Sequence, residues 1–147
     1  MKKKEMIETY RALAKCKLTG MSKKGKDSVL GFLRVARPVE EAFEADVNDL
    51  KERLKPEGFE QMERKVREHN EAVERNTAAG RLRMAEFHAL KERMDPYYKE
   101  LDERLSAILN EDVDFKIAKL TGSDFDKFTE ANDIEVERLA TVMVAFT

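Results

Sequence analysis

The sequence predicts a mostly α protein: a long helical hairpin or bundle with proline-kinked helices and a short C-terminal helix pair. Three observations predict it. Apolar residues recur at spacings of three and four along most of the 147 residues. Charged residues make up 39% of the chain, whereas Leu, Ile, Val and Phe together number only 35. So narrow an apolar set suits long helices with one buried stripe each better than a round core. Finally, three prolines and six glycines are too few turn residues for an all-β sandwich. A single helical domain over 1–147 is expected, with long helices to residue 110 and an extended segment plus two short helices over 111–147.

The first helix is predicted over 3–16, where Met6, Ile7, Tyr10, Leu13 and Ala14 share a face. "KLTGMSKKGK" interrupts it, and Ser22 is placed to cap the next helix. That second helix carries the clearest stripe: Val29, Phe32, Leu33, Ala36, Val39, Phe43, Val47, Leu50 and Leu54. Pro38 falls inside it. The stripe keeps its phase across the proline, so one kinked, continuous helix is expected, ended by "KPEG". A third helix over 59–76 has a sparse stripe of Phe59, Met62, Val66 and Val73, with His69 and Asn70 where an apolar residue would continue it. A fourth, over 79–109, repeats the mid-helix proline at Pro96; its stripe is Met84, Phe87, Leu90, Met94, Tyr97 or Tyr98, Leu101, Leu105 and Ile108.

"DVDFKIAKL" then alternates, with Val113, Phe115 and Ile117 on one side and Asp114 and Lys116 on the other. No second strand candidate exists, so the stretch near 112–118 is either extended coil laid on the bundle or a strand for another chain, and extended coil is the expectation. A short helix follows with Ser123 as its cap and Phe125 and Phe128 one turn apart. Asn132 and Asp133 give a second capping signal, before a last helix in which Leu139, Val142, Met143, Val144 and Phe146 cover most of the circumference. Such a helix is either wedged into the core or forms an interface. Leu139, Val142, Met143 and Phe146 are the interface candidates.

The chemistry of an enzyme is not legible here, and no catalytic residue is assigned. His69 and His88 lie 19 apart with no zinc-ligand spacing around them, and no Glu-x-x-His pair serves a di-iron site. "NEDVDFKIAKL" lacks the glycine and glutamate of an EF-hand, and "TGMSKKGK" lacks P-loop spacing. Cys16, the lone cysteine, has no marked base. No cofactor and no metal are therefore expected. The basic start carries no apolar stretch of signal-peptide type, and no run approaches a membrane span of roughly 20 residues. A cytoplasmic protein without a membrane partner is the expectation.

Charge is split along the chain. Residues 1–37 hold 11 Lys/Arg against 3 Asp/Glu; residues 38–147 hold 17 against 27. The basic head either faces acidic parts of its own fold or of a second copy, or it meets nucleic acid through Lys23, Lys24, Lys26, Arg34 and Arg37. Poor aromatic interleaving argues against single-strand stacking.

Two stretches, "YRALAKCKLTGMSKKGKDSVLGFLRVARPVEEAFEADVNDLKERL" and "DFDKFTEANDIEVERLATVM", resemble a group of short helical proteins encoded by tailed phages and prophages of gut Bacteroidetes. The likeness spans about half the chain and rests on patterning. It implies a phage-related origin, a role in particle assembly and no active-site residues. The function expected is a non-enzymatic interaction or assembly protein that self-associates or binds a protein partner, in the cytoplasm or in a phage particle; the alternative is a nucleic-acid-associated regulator.

Overall fold

Ser22 sets the start of the longest helix: its hydroxyl accepts the Gly25 N–H at 3.0 Å, so a donor that would be orphaned in the first turn is satisfied. The computed structural model describes residues 1–147, and 72% of them are helical. Six helices follow in order: α1 (Lys3–Leu13), α2 (Lys23–Leu54), α3 (Phe59–Glu74), α4 (Met84–Leu109), α5 (Gly122–Ala131) and α6 (Val136–Phe146). Both α2 and α4 continue through their prolines, as the unbroken phase of the stripes requires. Gly58, at φ 73°, turns the chain after "KPE" in the left-handed region that favours glycine. The chain divides into two compact units, one formed by Met1–Asp46 with Ala107–Thr147 and the other by Val47–Ser106.

The first unit buries Met6, Leu13, Met21, Val29, Phe32, Ala36, Phe128, Val142 and Phe146 in one cluster. Phe32 is its centre: the Phe146 ring meets it edge-on at 5.7 Å and the Phe115 ring lies at 6.2 Å. Residues 113–120 form neither helix nor ladder: the Phe115 N–H closes a tight turn on the Val113 carbonyl at 3.0 Å, and Val113, Phe115 and Ile117 lean on the cluster from the side. This coil has an intrachain partner that the sequence did not reveal. Lys2 and Asp112 form an isolated antiparallel bridge, Lys3 N–H donates to the Glu111 carbonyl at 2.9 Å, and Val113 N–H to the Met1 carbonyl at 2.8 Å. Lys2–Asp112 and Lys3–Glu111 ion pairs, at 2.8 and 2.6 Å, reinforce it. Farther along, Leu120 N–H donates to the Phe146 carbonyl at 3.1 Å and the Ser28 hydroxyl to the Ala118 carbonyl at 2.7 Å.

The cap of α5 is Thr121, not Ser123: the Thr121 hydroxyl accepts the Asp124 N–H at 3.1 Å. Its backbone is extended, as a cap requires, whereas Ser123 already lies inside the helix. Asp124 then reaches back to the start of α2. Its carboxylate accepts the Ser22 N–H at 2.8 Å, the Ser22 hydroxyl at 2.9 Å and the Thr121 hydroxyl at 3.1 Å. The first turn of α2 has no acidic residue of its own, so Asp124 supplies the negative charge that the positive end of the helix dipole favours. The Ser22 N–H above all, helped by the two hydroxyls and against the effect of burial, holds the Asp124 carboxyl below its ordinary value of 3.8. A folded pKa below the unfolded one adds stability above pH 3.8, and that contribution is lost as pH falls through the lower folded value. Asp124→Asn is therefore expected to flatten the acid limb of a Tm-versus-pH curve below that point. An unchanged limb would show that other carboxylates dominate acid unfolding.

Asn132 does not cap α6 either, nor does Asp133; the cap position is Glu135, which makes no side-chain bond there. Asn132 instead clamps the loop after α1. Its oxygen accepts the Lys17 N–H at 2.7 Å, and its amide donates to the Lys17 carbonyl at 2.7 Å and to the Phe128 carbonyl at 2.9 Å. That ties the end of α5 to backbone that leaves α1 at Leu13, three residues earlier than the predicted 16.

Part of the basic head faces the fold's own acids. Arg11 Nε and Nη2 both lie 3.0 Å from Oε1 of Glu40, a residue only 8% exposed. Its second oxygen is buried without a donor. Arg11→Ala would leave that carboxylate without its cation. Arg11 is itself half-exposed, so screening holds the expected loss to about 1–2 kcal/mol, below the 3–5 kcal/mol of a fully buried pair. Adding Glu40→Leu should recover most of it in urea unfolding; no recovery would mean the arginine stem, not the charge, matters.

In the second unit, Phe59 at the start of α3 packs on Tyr97 and Tyr98 of α4, with ring centroids 4.7 and 5.9 Å away. His69, farther along α3, lies against Phe87 near the start of α4 at 4.7 Å. The two helices are therefore antiparallel. The buried face of α3 is Phe59, Met62 and Ala72; Val73, expected in the stripe, is half-exposed. Helix α4 starts at Met84 and not at 79, because Gly80 takes φ 88° and the Leu82 N–H is drawn to His69 Nδ1 at 2.9 Å. Leu50 of α2 and Met94, Tyr97 and Leu101 of α4 complete the buried apolar residues of this unit.

Candidate interaction surfaces

Helix α6 is apolar on two faces, and the first unit covers one of them. At about 100° per residue, Leu139, Val142 and Phe146 share one side. Val142 and Phe146 are fully buried and Leu139 is half-buried against them. Three of the four interface candidates thus pack inside the chain. Met143 does not: it is 44% exposed and belongs to the opposite side, with Val136 at 81%, Val144 at 79% and the exposed Ala140. These four recur at spacings of four, three and one, which makes one continuous ridge. The sequence showed that both faces are apolar. Which one turns inward is decided by the core cluster around Phe32, far earlier in the chain.

Charge at the N-terminal end of the ridge is acidic, whereas the exposed Arg138 lies toward the Val142 side of α6. Asp133, Glu135 and Glu137, all exposed, lie at its N-terminal end, and none has an ion-pair partner in the chain. Beside it, an open groove of about 550 Å³ runs between α1 and α6, lined by Glu5, Glu8 and Thr9 and by Ala140, Val144 and Ala145.

A second groove, of about 380 Å³, lies between α1 and α2. Tyr10, Ala14, Leu30 and Leu33 form its apolar floor, and Arg34 and Arg37 its wall. Leu30, at 50% exposed, is open to solvent there. Arg37 is held by Glu41 at 2.8 Å, whereas Arg34 has no carboxylate within ion-pair distance. Lys23, Lys24 and Lys26 are exposed in the first turn of α2, away from this groove's lining, and are likewise unpaired. The structure thus places Arg34 and Arg37 together at one site and the three lysines at the helix start.

The remaining reactive groups have local duties. Cys16 donates its thiol to the Ala12 carbonyl at 3.0 Å, and burial, outweighing the opposing attraction of Arg138, pushes its pKa up from 9.0 and so disfavours the nucleophilic thiolate. His69 is occupied as acceptor for Leu82 and stacks on Phe87. His, Cys, Asp and Glu side chains nowhere gather in a group of three able to hold a metal ion. No helix is long and apolar enough to cross a membrane. No protein-family model matches the chain, and no curated protein or solved structure shows detectable similarity to it.

Proposed function

We propose that this protein is a non-enzymatic assembly protein that associates with copies of itself through the uncovered face of α6. The carrying observation is the ridge of Val136, Ala140, Met143 and Val144, apolar and open to solvent on a chain that is otherwise 39% charged. The titratable side chains that enzymes commonly use are either engaged locally, as Cys16 and His69 are, or solvated. The resemblance to phage-encoded helical proteins suits an assembly role in a particle.

The test uses the exposed ridge and spares the buried face. Val136→Asp with Val144→Asp should reduce the sedimenting species to monomer while leaving the melting temperature within a degree or two, since neither side chain is buried. A wild-type chain that is already monomeric at high concentration would overturn this reading.

A second reading, nucleic-acid association, is favoured by one observation. Lys23, Lys24 and Lys26 sit unpaired in the first turn of α2, where the helix dipole repels cations. Binding to DNA or RNA that weakens steeply with salt would support it; no binding at moderate salt would leave assembly as the function.

A further inference from the structure

We infer that the copies join head to tail: the acidic, apolar ridge of α6 on one copy seats in the arginine-walled groove between α1 and α2 on the next. This rests on the self-association reading above and adds its geometry. Both surfaces are apolar and uncovered, and their charges are opposite. The ridge begins between Glu135 and Glu137; the groove floor of Tyr10, Leu30 and Leu33 is walled by Arg34 and Arg37. Leu30, Leu33, Arg34 and Arg37 recur at spacings of three, one and three, so they form one ridge of α2 bordering the groove. Arginine suits this place, since it pairs with carboxylates in a fixed fork while its stem lies on apolar surface.

The symmetric alternative, α6 against α6, is opposed by charge. A parallel pair would set Glu135 and Glu137 against their own counterparts. An antiparallel pair would set them against the negative end of the partner's helix dipole. The groove offers cations in both cases.

The two surfaces also leave α1 on different sides. Glu5, which lines the α6 side, and Ala14, which lines the α2 side, are nine residues apart, about half a turn around the helix. One copy can therefore donate its ridge and accept another's at the same time. An interface joining two different patches propagates into a ring or an open filament rather than stopping at a pair.

Complementary knockouts test this. Val136→Asp with Val144→Asp disables the donor; Leu30→Asp with Arg34→Glu disables the acceptor. All four positions are exposed, and circular dichroism melts check that both variants fold. The wild type should form species larger than a dimer in sedimentation as concentration rises. Each variant alone should be monomeric, and an equimolar mixture should give a one-to-one dimer and nothing larger. If the acceptor-disabled variant still associates by itself, or the mixture stays monomeric while the wild type associates, the head-to-tail geometry is wrong although self-association stands. If the wild type never associates, both fall.

Discussion

Phe146→Ala is expected to unfold the unit built from the two ends of the chain, at a cost of about 3–5 kcal/mol. The ring is fully buried, sits edge-on to Phe32 at 5.7 Å, and its residue's carbonyl also holds the Leu120 N–H. Truncation leaves a cavity between α2 and α6 that the coil at Phe115 cannot fill without losing its own anchors at Met1 and Lys3. Against a total stability of roughly 5–15 kcal/mol, such a loss is decisive. Val144→Ala, two residues away on the open ridge, should change stability by no more than about 0.5 kcal/mol. Urea unfolding of both variants measures the contrast. Equal midpoints would mean that α6 does not pack as described.

The second large effect is expected at Gly25, and it sets two magnitudes against each other. Alanine in place of glycine inside a helix usually gains about 0.5–1 kcal/mol. At Gly31 an added Cβ meets nothing within 4 Å, so Gly31→Ala should show that gain. At Gly25 the same Cβ would lie 2.5 Å from Asp124 Oδ2, and Asp124 is held in place by Ser22 and Thr121. Moving it breaks the junction of α2 with α5, and the expected outcome is a loss of about 1–3 kcal/mol, as for overpacked cores. Opposite signs at two glycines of one helix are the result to look for. Introducing Gly25→Ala into an Asp124→Ala background should remove most of its penalty, because the clashing oxygen is gone.

The helices were legible in the sequence because each one's stripe is local. Val29, Phe32 and Ala36 announce α2 whatever surrounds them, Ser22 caps it, and the alternation over 112–118 marks which side of that coil, Val113, Phe115 and Ile117, turns to the core. What stayed hidden depends on partners far along the chain. Thr121 and Ser123 are equally good caps by type, and Asp124 is fixed by Ser22, 102 residues earlier. Asn132 looks like a cap and serves as a clamp on Lys17 for the same reason. The candidate surfaces were half legible. The apolar excess of α6 and the arginines of α2 stood out, but periodicity in a helix apolar on both sides cannot select the inward face. Nor can it show that Arg34 and Arg37 share a groove with Tyr10 of another helix.

The unit assembled from residues 1–46 and 107–147 imposes an order on synthesis. Phe32 leaves the ribosome roughly a hundred residues ahead of Phe146, and at about 5–20 residues per second that interval lasts roughly 5–20 s. Residues 47–106, contiguous in the chain, can complete their own contacts during it. The earlier half-core waits uncovered, so Val29, Phe32 and Ala36 of a nascent chain stay open to water until α6 emerges and docks.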